Sequence, residues 1–531
     1  MRTILFNGKI YVEKNNFQEA MLIEDGIIKK VGTNQIILEN TWDKKINLEG
    51  KVVIPGLNDS HLHLCSIGEN MNSCSLAKAS SIESAIEIGR NFLINNNRLK
   101  GLLGKSWNQD LFTEGEKRIF TRHDLDKIST EIPIVYNRVC GHLAVGNTKA
   151  LELANINEKT HVEGGEILIG QDDKPNGILT EGAVSLIVNT LPEKSKKEIE
   201  AEMLKGADYA LSMGITSVQS CDVDSKDSEV MFNIIHDIYD NQKTKLRYSP
   251  QFNFQDIDAF KKYIETEHKN ETYDEKFLSK GALKLFKDGS LGARTALMIN
   301  DYNDEPGTKG VSALSDEKLQ SLCDLAAENN IRVVTHAIGD AAIDSVINAY
   351  EKTMSGEQNP LRHGIVHCQI TSIEQIKRIA SLNIPVMFQP IFLDYDLQVV
   401  NERVGEKLAS TSYAFNTLNK IGQISFGTDS PVEDCNPFLN IYSAVTRQRL
   451  SEAPEGGFIP TEKMSVEDSI DAYTIGSAYN EFKESVKGRI KPGYVADLAV
   501  LDRDIFTVDL NEIKNIRVEK TMINGEFVFE R

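Results

Sequence analysis

Two histidines one residue apart, His61 and His63 in "VIPGLNDSHLHL", follow a run of apolar β-formers and a Pro-Gly turn. Residues i and i+2 of a strand project to one face. The two imidazoles therefore aim the same way with a few ångströms between their rings, a two-ligand start for a metal site. A hydrogen-bonded pair beside a turn would show the same spacing. Other residues of this kind close further apolar runs: His336 in "RVVTHAIGDAA", His367 in "GIVHCQ" and Asp429 in "ISFGTDSPV". Each alone has a plainer role, as a buried histidine with a partner or a carboxylate that caps the Ser430-Pro431 turn. Four imidazoles and a carboxylate at the ends of separate strands are explained together by a bound cation.

Lys284 is of another type. In "GALKLFKDGS" it lies between Leu283 and Leu285, in an apolar run where an ammonium without water is costly. Desolvation depresses a lysine pKa, and a neutral amine reacts with CO₂ to give a carbamate, an anionic oxygen ligand able to bridge two metal ions. Snorkelling to an edge and pairing with an acid are the other outcomes open to it. Lys287, followed by Asp288-Gly289, is expected in the loop and solvated.

Such residues need a scaffold that gathers strand ends. "GITSVQSC", "GALKLF", "IRVVTHA", "GIVHCQ", "IPVMFQP" and "GQISFGTDS" alternate with helix-like stretches such as "SDEKLQSLCDLAAENN" and "SIEQIKRIASLN", each opening on a serine that can cap it. Short apolar strands alternating with helices imply parallel β-structure buried on both faces. Polar residues at the C-terminal ends of parallel strands are where a (β/α)₈ barrel keeps its active site. No G-x-G-x-x-G follows the first strand, which disfavours a doubly wound dinucleotide fold. The tract from His63 to Gly214 is too long for one βα loop, so an inserted, mostly helical subdomain is expected near the mouth, within about 70–210. At the ends, "TILFNGKIYV", "AMLIEDGIIKKVG", "KINLEGKVVIPG", "ADLAVLDRD" and "VEKTMINGEFVFE" read as strands punctuated by Asn-Gly, Asp-Gly and Glu-Gly, hairpins of one small antiparallel β-domain assembled from both termini.

Composition limits the partners. With 531 residues, 40% hydrophobic and 26% charged, the chain has an ordinary globular balance. A net charge of −19 repels polyanions, so neither nucleic acid nor an anionic membrane is expected as a partner, and a small-molecule substrate is. No run approaches the ~18 apolar residues of a membrane span, and the N-terminus lacks a secretory pattern. Seven scattered cysteines without a C-x-x-C pair suit reduced thiols in a cytoplasm.

Taken in order, "PGLNDSHLHL", "LKLFKDGSLGARTA", "THAIGDAA", "IVHCQ" and "FGTDSPV", with "GRIKPGYVADLAVLDRD" after them, resemble the metal-dependent amidohydrolase superfamily, and within it the amidohydrolase-3 subgroup that includes N-substituted formamide deformylases. The resemblance implies a distorted (β/α)₈ TIM barrel over 56–481 beside a composite β-sandwich from 1–55 and 482–531. It implies that His61 and His63 from the first strand, a carboxylated Lys284 from the fourth, His336 from the fifth, His367 from the sixth and Asp429 from the eighth hold one or two divalent ions, zinc foremost, with the carbamate as bridge. The implied reaction is hydrolysis of a non-peptide C–N bond in a small amide, formamide or cyclic amide. A metal-activated hydroxide attacks, and Asp429 serves as general base and then acid. A deaminase or esterase at the same metals, and a regulatory homologue without turnover, are the alternatives. Trp107 and His142 are candidates for substrate contact, with a core position and a helix cap as their plainer roles. Asp288 and Arg294, in the loop after Lys284, either orient a substrate or pair with each other. Asn108 and Cys140 stand where the subgroup has Asp, differences that concern the substrate pocket and not the metal site. Family habit suggests a homodimer.

Overall fold

A parallel strand buried on both faces must bond its backbone to neighbours on both sides, and eight such strands form one sheet in the computed structural model of the chain. They are β1 (Leu57–Leu62), β2 (Ile215–Ser220), β3 (Arg247–Asn253), β4 (Ala282–Phe286), β5 (Arg332–Ala337), β6 (Gly364–His367), β7 (Val386–Phe388) and β8 (Ile424–Phe426). The structure describes all residues except 97–98, 139–142, 163–164, 270–272, 274 and 357. Neighbours run in chain order from β1 to β8 and every pair is parallel, the topology of a (β/α)₈ barrel. An apolar-run criterion passes over β3, "RYSPQFN", because Ser249 and Gln251 are polar and Pro250 interrupts it.

Side chains and loops join β8 to β1. The Asp59 carboxylate accepts from the Thr428 N–H at 3.0 and 3.1 Å and from its Oγ1 at 2.7 Å. The Asp429 N–H donates to the His61 carbonyl, and the His63 N–H to that of Ser430, each at 2.8 Å. Only glycine fits beside this seam, since a Cβ on Gly427 would lie 2.6 Å from His61 N and 2.8 Å from Asp59 Oδ1. Inside the barrel, Ala282, Val334, Val366 and Met387 pack as one buried layer. Strand alternation then places Lys284 and His336 above that layer and Arg332 below it. Gln251 is the register partner of Ala282, so β3 brings a polar wall to the same interior. On the outside, Ser315 and Ser372 cap the helices Asp316–Glu328 and Ile373–Ser381 as expected, the second with a capping box to Gln375.

The chain ends form two sheets with a shared core that includes Leu5, Met21, Val53, Leu498 and Met522. They are mixed rather than antiparallel. Asp25-Gly26 and Asn524-Gly525 do turn hairpins. Asn7-Gly8 does not: the strand before it, Arg2–Phe6, pairs in the four-stranded sheet, and the strand after it, Lys9–Glu13, pairs in the six-stranded one. Glu49-Gly50 makes the same transfer between Lys44–Asn47 and Val52–Pro55. A sandwich needs corners where the chain changes sheets, and a residue with positive φ, Asn7 at the first corner and Gly50 at the second, serves a corner as well as a hairpin. The result is a composite β-sandwich built from both termini.

The chain divides into two units, residues 1–67 with 203–531, and residues 68–202. The second corrects the expectation of a mostly helical insertion. It holds a six-stranded mixed sheet with strands such as Leu102–Trp107, Ile134–Arg138 and Pro175–Glu181, and helices that include Ile82–Asn95. Among the described residues no helix is long and apolar enough to cross a membrane.

Candidate metal centre

The C-terminal ends of the barrel strands bring the expected donors together. His61 Nε2 and His63 Nε2 each lie 3.3 Å from Asp429 Oδ1, and the three ligand atoms fall within 4.8 Å of one another. Ligands bound at ~2.0–2.2 Å around one tetrahedral zinc sit about 3.4 Å apart, so the spacing suits a shared cation. The His367 ring centroid is 5.6 Å from that of His61 and 4.5 Å from that of His336. Two of these residues, His367 (φ 75°) and Asp429 (φ 55°), have left-handed backbones, a strained state for side-chain-bearing residues that tends to occur at functional sites.

Hydrogen bonds on the far side of each ring decide which nitrogen faces the centre. His61 Nδ1–H donates to Gln251 Oε1 at 2.5 Å, His63 Nδ1–H to the Cys221 carbonyl at 2.8 Å, and His367 Nδ1–H to Gln389 Oε1 at 2.7 Å. Both amides are oriented in turn, because Gln251 Nε2 donates to the Ser60 carbonyl and Gln389 Nε2 to that of Met387. Carbonyl oxygens can only accept, so Nε2 of these three rings keeps its lone pair for a metal. His336 is reversed. Its Nε2–H donates to the Gly289 carbonyl at 2.9 Å, which leaves Nδ1 free. Burial, reinforced by the nearby Lys284 charge, holds His336 down to about 3 and keeps His61 well below the usual imidazole range. Burial likewise lowers His367, helped by its histidine neighbours. Neutral imidazole is the form that binds metals. His63 alone of the four is raised: burial is the largest single influence and lowers it, but the hydrogen bond and charge of Asp429, the Asp222 charge and the Cys221 carbonyl together exceed it.

Lys284 is fully buried. Its Nζ stands 3.6 Å from the centroid of the Phe286 ring, and its hydrogen bond to the Leu285 carbonyl is long at 3.5 Å. Burial pushes it down to about 8, against the pull of Cys221, Asp429 and Asp288. The donor set therefore fits a divalent centre: four imidazoles, three of them held neutral by burial, a carboxylate between two of the four, and an amine that burial pushes down to about 8. His61, His63 and Asp429 could hold one ion, and His336 and His367 a second, with Lys284 on the wall between.

The remaining candidates are placed elsewhere or engaged. Asp288 is buried, pushed up to about 7 by that burial, and accepts from the backbone N–H groups of Leu297, Ile338 and Gly339. It thus fixes the loop after His336. Arg294 pairs with Asp304 at 2.7 Å and with Glu305 at 3.2 Å, not with Asp288. Lys287, expected to be solvated, is buried: its Nζ bonds Asp316 at 2.7 Å and Ser312 at 3.0 Å. In the inserted unit Trp107 has no exposed surface and packs edge-on to Phe120 at 4.8 Å within an aromatic core. Asn108 Oδ1 accepts from the Asp110 N–H and from Arg138. His142 and Cys140 lie outside the described residues.

Sequence reasoning missed Gln251, Gln389 and Asp59. Replacing Gln251 with Leu removes the acceptor that orients His61, and we expect metal affinity to fall ~10–100-fold with the fold intact, measured by competition against a chromophoric chelator. An unchanged affinity would mean that Gln251 does not orient a ligand. Asp59→Ala leaves the His61 and Thr428 backbone N–H groups without their shared acceptor. Stability should drop by about 3 kcal/mol, seen as a lower urea midpoint, and metal binding should weaken with it. A wild-type midpoint would remove Asp59 from the seam.

The family model of the amidohydrolase family matches residues 44–529. The chain is 31% identical to the putative amidohydrolase YtcJ of Bacillus subtilis over the whole of both chains. It is 26% identical to the N-substituted formamide deformylase of Arthrobacter pascens, with 98% of this chain and 96% of that protein aligned. Among solved structures, an uncharacterized metal-dependent hydrolase from Pyrococcus furiosus superimposes with a TM-score of 0.79 at 27% identity, over 96% of this chain and all of that one.

Proposed function

Because the chain belongs to the amidohydrolase family, we propose that this hydrolase cleaves non-peptide C–N bonds in a small amide, formamide or cyclic amide at a divalent centre held by His61, His63, Lys284, His336, His367 and Asp429. The observation that supports this reading is the set of ring hydrogen bonds: a carbonyl oxygen on one nitrogen of each of four imidazoles leaves the other nitrogen available to a metal, and two of those nitrogens, of His61 and His63, meet Asp429 Oδ1 at 3.3 Å. A bound divalent ion, zinc foremost, supplies a Lewis acid for the scissile carbonyl and brings the pKa of water towards neutrality.

The chain's own groups do the rest. Asp429 Oδ1, within reach of two histidine nitrogens, is placed to take a proton from the attacking water and hand it to the leaving nitrogen as the C–N bond breaks, giving a carboxylate and an amine. Neutral Lys284 Nζ adds to CO₂, forming an N–C bond and releasing a proton, and the carbamate brings negative charge to the wall between the two halves of the site. Phe392, stacked at 5.7 Å on His367, and Phe286, whose ring centroid is 3.6 Å from Lys284 Nζ, keep water from the groups they cover. A net charge of −19 supports a small-molecule substrate over a polyanion.

The test is a panel of N-substituted formamides, linear amides and cyclic amides, assayed for amine and carboxylate released in equal amounts, with metal content measured on the same preparation. Dipicolinate should abolish turnover and added zinc or manganese should restore it. Full activity in protein stripped of metal, or turnover confined to esters or to ring amines that yield ammonia, would defeat this reading.

A further inference from the structure

His63 is the most open of the four imidazoles. Its side chain is 26% exposed, against 1% for His61 and 13% for His336, and it lies just past the end of β1, so neither tight packing nor the strand ladder fixes its ring. It also opens the helix Leu64–Asn72, since its carbonyl accepts from the Ile67 N–H at 3.1 Å. A residue in that place usually turns its side chain back onto the first N–H groups of the helix, as serine or aspartate does. His63 cannot do this. Its Nδ1–H is committed to the Cys221 carbonyl and its Nε2 faces Asp429.

The caps come instead from the end of β2. The Leu64 N–H donates to Ser220 Oγ at 2.8 Å, and the Cys65 N–H to Asp222 Oδ1 at 2.9 Å. Asp222 Oδ2 accepts in addition from Ser220 Oγ–H at 2.6 Å and from the Tyr248 O–H of β3 at 2.9 Å. An ionised carboxylate only accepts, so this one side chain can take all three donors and tie the ends of three strands together. His61 and His367 are oriented by glutamine side chains, but the acceptor for His63 is a backbone carbonyl, which needs an anchor of its own. That carbonyl belongs to the peptide bond joining Cys221 to Asp222. Asp222 therefore fixes both sides of the contact, the chain that carries the ring and the peptide that carries its acceptor.

We propose that Asp222 is the positioning residue for His63, acting through the Cys65 N–H and the Cys221 carbonyl to aim Nε2 at the ion that His61 and Asp429 share. The inference rests on the metal-binding reading of the site. It adds that the open ligand of the centre is held from β2 and β3 and not by its own strand.

Asp222→Ala, His63→Ala and the double variant are compared with wild type in the full-length protein. Zinc affinity is read by competition against a chromophoric chelator, and X-ray absorption of the zinc-loaded proteins counts imidazole ligands. Asp222→Ala should weaken zinc binding ~10–100-fold and lower the imidazole count, with circular dichroism unchanged. In the His63→Ala background the same change should weaken it by less than ~2-fold, because the ligand it positions is gone. Asp222→Asn keeps an oxygen for the Cys65 N–H and should show a smaller loss, ~3–10-fold, that also vanishes without His63. It carries the cycle if the alanine variant fails to fold. A role in folding alone would lower the urea midpoint and leave zinc affinity unchanged, which would overturn the proposal, and so would a loss of equal size with and without His63. Wild type that binds no zinc would overturn the metal reading and this inference with it. Weakened binding in His63→Ala but in neither Asp222 variant would defeat this inference alone.

Discussion

A Lys284→Ala enzyme is expected to keep its fold, lose at least one divalent ion, and turn over at least ~10²-fold more slowly than wild type, while acetate or propionate in the buffer restores part of both. The argument starts from charge. Two divalent ions a few ångströms apart repel strongly in a low dielectric, and neutral imidazoles do nothing to offset that repulsion. Asp429 is one anion against four positive charges. A carbamate on Lys284 would add a second anionic group and offset that repulsion. Its amine is fully buried and held down to about 8, so a fraction is neutral near physiological pH and able to add to CO₂. Alanine leaves a space lined by Phe286 and the histidines, above the layer of Ala282, Val334, Val366 and Met387 that carries the packing. The fold should therefore survive and a short carboxylic acid should fit.

Three measurements check this. Elemental analysis counts the ions in each variant, kinetics with and without acid reads the rescue, and intact mass of wild type under native conditions reports one added CO₂. Reconstitution of stripped wild type should also be slow in CO₂-free buffer and fast once bicarbonate is added. If the alanine variant holds two metals and works normally, the carbamate bridge is wrong and a centre with one ion at His61, His63 and Asp429 replaces it.

What the chain showed of this site before folding depended on whether a residue broke the local rule of its strand. Lys284 stands out because its neighbours are Leu283 and Leu285, and His336 and His367 because β-branched residues precede them. Asp59 breaks the same rule, a carboxylate two residues before His61 on the same strand, but its role depends on Thr428, 369 residues away in the chain. Gln251 could not be found that way. It sits in β3, where Ser249 and Asn253 are also polar, so a strand that faces a polar interior looks like a loop. The amide has no pattern of its own, and its role exists only once β3 lies beside β1's neighbour in the barrel. The same logic explains the ends of the chain. Asn7-Gly8 and Asp25-Gly26 look alike as dipeptides, and what distinguishes a sheet change from a hairpin is the long-range pairing of Arg2–Phe6 with Lys44–Asn47. The inserted unit misled for another reason: its strands are short and mixed in direction, so no alternation of strand and helix announces them.

Asp429→Asn separates proton transfer from architecture. Asparagine matches the shape, and its Oδ1 still meets the Nε2 atoms of His61 and His63 now 3.3 Å away. The backbone bond from residue 429 to the His61 carbonyl does not involve the side chain and should persist. An amide oxygen is a weak base, however, and cannot take a proton from water or return one to a leaving nitrogen. Turnover should fall by ~10³–10⁴-fold, with substrate affinity and thermal stability close to wild type. Loss of the negative charge also weakens attraction for the ion, so rates are compared at saturating metal. Leaving groups give the sharper readout. Amides whose departing amine is a strong base need the returned proton most, and those with a stable anionic leaving group need it least, so the deficit should shrink as leaving-group basicity falls. A uniform deficit across that series would confine Asp429 to holding the ion, and near-normal rates would remove it from the proton path altogether.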